Sequence, residues 1–512
     1  MQRPPIMQPP PVMQRPWLRQ AGLVIGLLWI CPAAFGQLPA SGESTPAPPA
    51  NQPAPGNSPP GNSAPGNPAL GGGPLGPLTQ PVTPGGAMAP GVGDSPAMQD
   101  SGAESVPSGG PELPSGYQPP GTAPSIMTNI PDPRRTEAQM DAAERDLRGA
   151  GNRGITSILI SGDPSAENKE LVAKWAQLQV DRMAAAKSKQ EISNIGRNIS
   201  TKLLNAASQQ SNPNREREFR EAMVAALTKE LRDVLLNSNF YVRAQAAAIL
   251  GDLNLMEAPV RGDDPPEAYT PAISALLDLL EQTSEDPATN EALTGIKVLA
   301  ARGIQRLARY STSMDANLRY RAAEVMIKEL AKPDTHFWYQ VRLAEALAAI
   351  ELDVDRRRKP VVITALMSVI ADETRHCEAR AAAAKALSRT PIPAGQFDEE
   401  AAAKEILTMA REFALNYNKS PSELQWRYCF WKLAQAFEVA PTEDSSQLAE
   451  DSLLRSGTLP AAYQTIQERV APVIDFVLSQ KVGTPDPQPI PNELLQPLGQ
   501  PLATKAAAAS TN

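Results

Sequence analysis

The chain of 512 residues has only two histidines, His336 and His376, and three cysteines, Cys31, Cys377 and Cys429. The histidines lie 40 residues apart, and their neighbours Asp334, Asp372 and Glu373 add only carboxylates. A metal site shared by the two histidines would need further ligands at fixed spacing, which the pattern does not supply. No Gly-rich phosphate loop, nucleophile elbow or paired-His motif occurs. The sequence therefore predicts no enzyme, no cofactor, no metal and no evident small-molecule substrate. Aromatic residues are the more promising chemistry. His336-Phe337-Trp338-Tyr339 and the group Trp426, Tyr428, Phe430 and Trp431 hold 7 of the 24 aromatics. Because rings dominate interface energetics, Trp338, Tyr339, Trp426 and Tyr428 are the candidate partner-binding residues. The competing reading is that bulky rings fill gaps between helices, which Phe430 and Trp431 suit best.

These residues sit in elements that repeat. Five segments open on an apolar-then-basic pair: Val242-Arg243, Ile296-Lys297, Val341-Arg342, Ala379-Arg380 and Trp426-Arg427. Most continue with small residues, as in VRAQAAAILGDL, and apolar positions recur at three and four, the period of an amphipathic helix. The basic positions Arg243, Lys297, Arg342, Arg380 and Arg427 are spaced by 54, 45, 38 and 47 residues. Each block follows another apolar helix, at 215–236, 271–281, 318–330, 360–371 and 399–415. Helix pairs recurring at about 40–47 residues imply an all-α stack, an α-solenoid, in which each unit buries its face only against its neighbours.

The pattern V-R-x-x-A-A-x-A-L-G-x-L resembles the second helix of HEAT repeats, and residues 242–253 follow it nearly letter for letter. The other copies are looser, with Phe430 and Trp431 in place of the paired alanines and Glu345 in place of one. The resemblance covers about 214–438 and implies some five helix pairs whose second helices line a concave face. Such proteins mostly serve as protein-binding scaffolds. In that family the basic residue pairs with an acid or amide in the turn before its helix, and Asn237, Asn239, Asp334 and Asp372 stand at such places here.

The flanks frame this segment. Arg3, Arg15 and Arg19 precede the apolar run 21–35, and small residues stand before Gln37, which reads as a signal peptide over 1–36. Residues 37–133 hold 24 prolines and 17 glycines among 97 residues, a composition expected to form a disordered spacer. Residues 134–213 read as helices capping the solenoid, 439–480 as C-terminal capping helices, and 481–512 as a disordered tail. The expected location is secreted or periplasmic, with no membrane span left after signal cleavage. A net charge of −8 carries no basic footprint for nucleic acid. The expected function is an exported non-catalytic scaffold for a protein partner; the alternative is a structural envelope protein whose Pro-rich linker is the functional part. Cys377 and Cys429 differ by five residues in their motif positions, which predicts two free thiols too far apart to bridge.

Overall fold

Helix starts are set by short polar side chains that take up the first free backbone N–H groups. Ser188 accepts from the N–H of Glu191, Asn239 from those of Tyr241 and Val242, Asp286 from Thr289 and Asp315 from Leu318. Asn212 acts likewise ahead of Pro213, whose missing N–H costs nothing at a first helical position. The computed structural model describes residues 134–502, apart from 150–153, 260–263, 394, 442, 444, 446–447, 456–458 and 481–486. The signal-peptide and spacer readings lie outside these residues. All the described residues belong to one of two units of the chain; the other, Leu28–Pro119, falls outside them.

The described part is all-α, with sixteen helices and a single two-stranded hairpin. Four helices lead: α1 (Glu137–Gly149), α2 (Gly154–Ser161), α3 (Ala166–Ala185) and α4 (Lys189–Leu204). The short α2 has too few residues to show a period in the sequence. Then come α5 (Pro213–Asn237), α6 (Phe240–Gly251), α7 (Ala272–Leu280), α8 (Pro287–Arg309), α9 (Ala316–Leu330) and α10 (Phe337–Ala349). They are followed by α11 (Val361–Ala371), α12 (Cys377–Leu387), α13 (Glu399–Lys419), α14 (Leu424–Ala434), α15 (Ala461–Ser479) and the short α16 (Asn492–Leu495). No helix among the described residues is long and apolar enough to cross a membrane.

From α3 to α14 the helices pack in successive pairs, α3 with α4 through α13 with α14. Odd-numbered members also pack on one another in order, as do even-numbered ones, so two rows of helices share one apolar interior. Close approach within the even row depends on small residues. At the α6–α8 crossing, Gly251 and Gly303 face each other backbone to backbone, and a Cβ on Gly303 would stand 2.8 Å from the Gly251 Cα. Gly303→Ala should therefore lower stability by about 1–3 kcal/mol through overpacking, although alanine is intrinsically the better helix former. Gly295→Ala, at an exposed site of the same helix whose nearest contact is Phe240 at 3.9 Å, should instead be neutral or gain up to ~1 kcal/mol. Paired thermal melts check the contrast, and equal shifts would contradict a tight crossing.

Two features depart from the sequence reading. Between α6 and α7 the chain forms an antiparallel hairpin, β1 (Asn254–Met256) and β2 (Glu267–Ala268). The buried Arg220 of α5 anchors it, donating to the carbonyls of Leu255 at 2.8 Å and Leu203 at 3.0 Å and pairing with Glu257 at 2.6 Å. The C-terminal segment is also not disordered throughout 481–512. Residues 487–502 pack on α13 and α15: the Tyr417 hydroxyl donates to the Gln488 carbonyl at 3.2 Å, Asn418 donates to the Ile490 carbonyl at 3.0 Å, and Arg469 donates to the Gln500 carbonyl at 2.6 Å. Ile490 and Leu498 are buried there, which gives this Pro-rich stretch apolar anchors that its composition conceals.

Candidate functional site

The chemically distinctive side chains collect where α10, α12 and α14 lie side by side. The sequence of α12, CEARAAAAKAL, is buried from Glu378 onward. Its alanines keep it low between its neighbours, and long side chains from α10 and α14 close over it. Lys432 of α14 reaches Glu345 of α10 at 2.5 Å, and Arg342 holds the other Glu345 oxygen at 2.7 Å. Trp338 of α10 meets Tyr428 of α14 edge to face at 5.5 Å, and Tyr428 leans on Trp431 at 5.9 Å. Lys432 Nζ also lies over the Trp431 ring at 4.9 Å, a cation–π contact.

A returning segment after α14 seals one side. Glu443 pairs with Lys385 at 2.7 Å and with Arg389 at 2.6 Å, while the Leu454 N–H donates to the Ser388 carbonyl at 3.3 Å. The cavity left among Gln305, Arg309, Glu345, Lys385, Arg389 and Leu448 measures about 30 Å³, room for about one water. Burial pushes the Glu345 carboxyl up, but Lys432, Arg342 and Lys385 outweigh it and hold the group at about 2. Burial likewise opposes ionisation of Glu443, and Lys385 and Arg389 bring it down to about 2. Lys385 is drawn down to about 8, by burial first and then by the nearby Lys432. These charges act on one another and cross-link helices.

The four candidate aromatics separate. Trp338 is 37% exposed and Tyr428 is half-buried beside the half-buried Trp431. Tyr339 belongs to the core, with its hydroxyl donating to Glu329 at 3.2 Å. Trp426 is also buried, donating through Nε1 to Ser420 Oγ at 3.1 Å and packing near Phe413. The surface aromatic group is thus Trp338, Tyr428 and Trp431, in place of the four residues named from the sequence. Adjacent helical residues point in different directions, and alternation with the core separates Trp338 from Tyr339 and Phe430 from Trp431.

Four of the five basic residues find partners beyond the turns before their helices. Arg243 donates to Gln282 beyond α7, Lys297 pairs with Glu329 of α9 at 3.2 Å, and Arg380 pairs with Glu412 of α13 at 2.6 Å. Arg427 donates to the carbonyls of Val477 at 3.1 Å and Leu478 at 3.0 Å at the end of α15. Each of these four ties its helix to the next odd-numbered one. Arg342 differs in pairing with Glu345 of its own helix, within the charge network over α12. The turn residues serve other ends: Asn239 caps α6, Asp372 accepts from the Thr374 N–H at 3.1 Å and pairs with Arg375 at 3.0 Å, and Asn237 donates to Asp233 at 2.9 Å. Burial alone lowers Arg243 to about 10, which reflects how deeply this tie is set.

His336 and His376 come together, but as a stack. The Phe337 ring lies between them, with centroids 4.7 Å from His336 and 4.4 Å from His376. Cys377 and Cys429 are free thiols. Burial first, and then the neighbouring Cys377 thiol, push the Cys429 thiol well up, so the two lie closer than their motif offset suggests while staying unbridged. Comparison with known protein families, with curated proteins and with solved structures finds no match to this chain.

Proposed function

We propose that the protein is an exported, non-catalytic scaffold that binds a protein partner, built as an α-solenoid of HEAT-like helix pairs with capping helices at both ends. The observation that carries this reading is the two-row order of α3 to α14, each helix packed on its pair partner and on the next member of its row. That order is the packing logic of repeat proteins, whose extended faces serve as binding surfaces. The basic residues support it too, since four of them stitch successive pairs together. The partner face is assigned to the shelf made by Trp338, Tyr428 and Trp431, where rings of the charge-roofed region reach the surface. Aromatic residues with a part-exposed, part-packed setting supply large contact area at small entropic cost.

The test uses the full chain, a Trp338→Ala variant and a chain lacking 37–133 as baits in cell-envelope extract. Trp338→Ala should lose about 2 kcal/mol or more of partner affinity, while its melting temperature stays within about 2 °C of the parent. The chain lacking 37–133 should keep the same partners. Loss of every partner on removing 37–133, with Trp338→Ala binding as the parent does, would instead favour the linker as the functional part.

A further inference from the structure

Three potential metal ligands converge at the start of α12 beside the aromatic shelf, and a thiol of α14 adjoins them. His376, Cys377 and Glu378 open α12, and their donor atoms all lie within 4.8 Å of one another. Cys377 Sγ is 3.1 Å from Glu378 Oε2 and 4.0 Å from His376 Nδ1, and His376 Nδ1 also contacts Glu378 Oε2. The fully buried Cys429 of α14 lies near enough for Cys377 to act on its thiol, and adds a second sulfur to the neighbourhood. Ligands on a tetrahedral ion with metal–sulfur and metal–nitrogen bonds of about 2.3 and 2.0 Å stand roughly 3.5 Å apart, and the two sulfur distances straddle that value.

Two contrasts within the molecule set the cluster apart. Of the four buried acids among the described residues, Asp181 lies beside Arg134 and Arg135, Glu329 beside Lys297 and Lys332, and Glu345 beside Arg342 and Lys432. Glu378 has no lysine or arginine within ion-pair distance; its partners are an imidazole and a thiol. The second contrast concerns the histidines, which both precede a helix. His336 Nδ1 accepts the Trp338 N–H at 3.2 Å and is used up as a cap, whereas His376 makes no side-chain cap and turns its Nδ1 to Glu378. The Phe337 ring stacked on His376 fixes that orientation, as partners of metal-bound histidines do elsewhere.

We propose that His376, Cys377, Glu378 and Cys429 form a binding site for a thiophilic divalent cation of the zinc type, which clamps α12 to α14. Two sulfurs, one nitrogen and one oxygen select such an ion over magnesium or calcium. A disulfide between the cysteines would account for two of the four groups and leave the histidine and the buried carboxylate unexplained. Binding replaces the two thiol protons with the metal, so each ion taken up releases two protons.

The test titrates cobalt(II) alone into the full, reduced chain. One equivalent should bring a thiolate-to-cobalt charge-transfer absorption with the d–d bands of a tetrahedral site, release two protons and raise the melting temperature. Cys429→Ser should lose about half of the charge-transfer intensity. His376→Ala, a change at an exposed side chain that leaves the core intact, should weaken cobalt binding roughly tenfold or more. Absence of the charge-transfer band in the reduced parent would overturn the proposal. So would equal cobalt affinity in the parent and in both variants, or recovery of the native protein with Cys377 and Cys429 joined as a disulfide.

Discussion

Glu345→Ala should cost about 3–5 kcal/mol of folding stability, because it leaves the buried Lys432 ammonium without its counter-charge. Glu345 is the point where α10 and α14 meet over α12, so the loss should show as a lowered melting temperature and a lowered urea midpoint. Replacing Glu345 and Lys432 together with leucine and methionine should recover most of the loss, since well-packed apolar residues often match a buried ion pair. The same network fixes a pH dependence. Glu345 and Glu443 both sit at about 2 in the folded chain, below their usual value of 4.5. A carboxyl depressed on folding contributes stability that is fully present above its unfolded pKa and is lost as pH falls through its folded pKa. Stability should therefore hold from neutral pH to about 5 and fall steeply between about 4.5 and 2, by on the order of 3 kcal/mol for each group. Glu345→Gln should be less stable than the parent at pH 7, and the gap should close toward pH 2. A gap that stays constant with pH would show that Glu345 stabilises by shape and not by charge.

How far the sequence reveals this arrangement depends on the range of the signal. Local signals are clear: Asn212 and Pro213 mark the start of α5, and the apolar-basic pairs mark the even-numbered helices, because caps and periodicity are written within one turn or two. The long α8 begins nine residues before Ile296 because Asp286 and Pro287 supply a start signal ahead of the motif. What the period cannot give is the identity of the neighbour. Val242-Arg243 and Trp426-Arg427 look equivalent, yet Arg243 meets a glutamine side chain and Arg427 meets main-chain carbonyls. The hairpin of β1 and β2 is too short for a strand pattern, and its anchor Arg220 reads in sequence as one more surface arginine of a charged helix. The nearness of Cys377 to Cys429 is likewise not written in their motif offset, which holds only for equivalent helices in register.

Phe430→Ala should cost about 3–5 kcal/mol, the loss typical of an aromatic ring removed from a closed core. Its ring is fully buried, with Phe413 and Tyr417 edge to face at 6.4 Å each. The HEAT-like pattern has alanine at this position, so the surrounding helices have settled around a large side chain and cannot close the space it would leave. Trp431, the next residue, fills the other alanine position of the pattern but is half-buried, with Lys432 over its face. Its removal opens onto solvent and forfeits a cation–π contact of about 0.5–1 kcal/mol along with part of its packing, so Trp431→Ala should lose less than half as much as Phe430→Ala. Urea titrations of both variants at neutral pH measure the difference. If the two losses are equal, Trp431 is a second core residue and the binding shelf shrinks to Trp338 and Tyr428. If Phe430→Ala melts within about 2 °C of the parent, α13 and α14 close over the cavity, and their packing is looser than the buried rings imply.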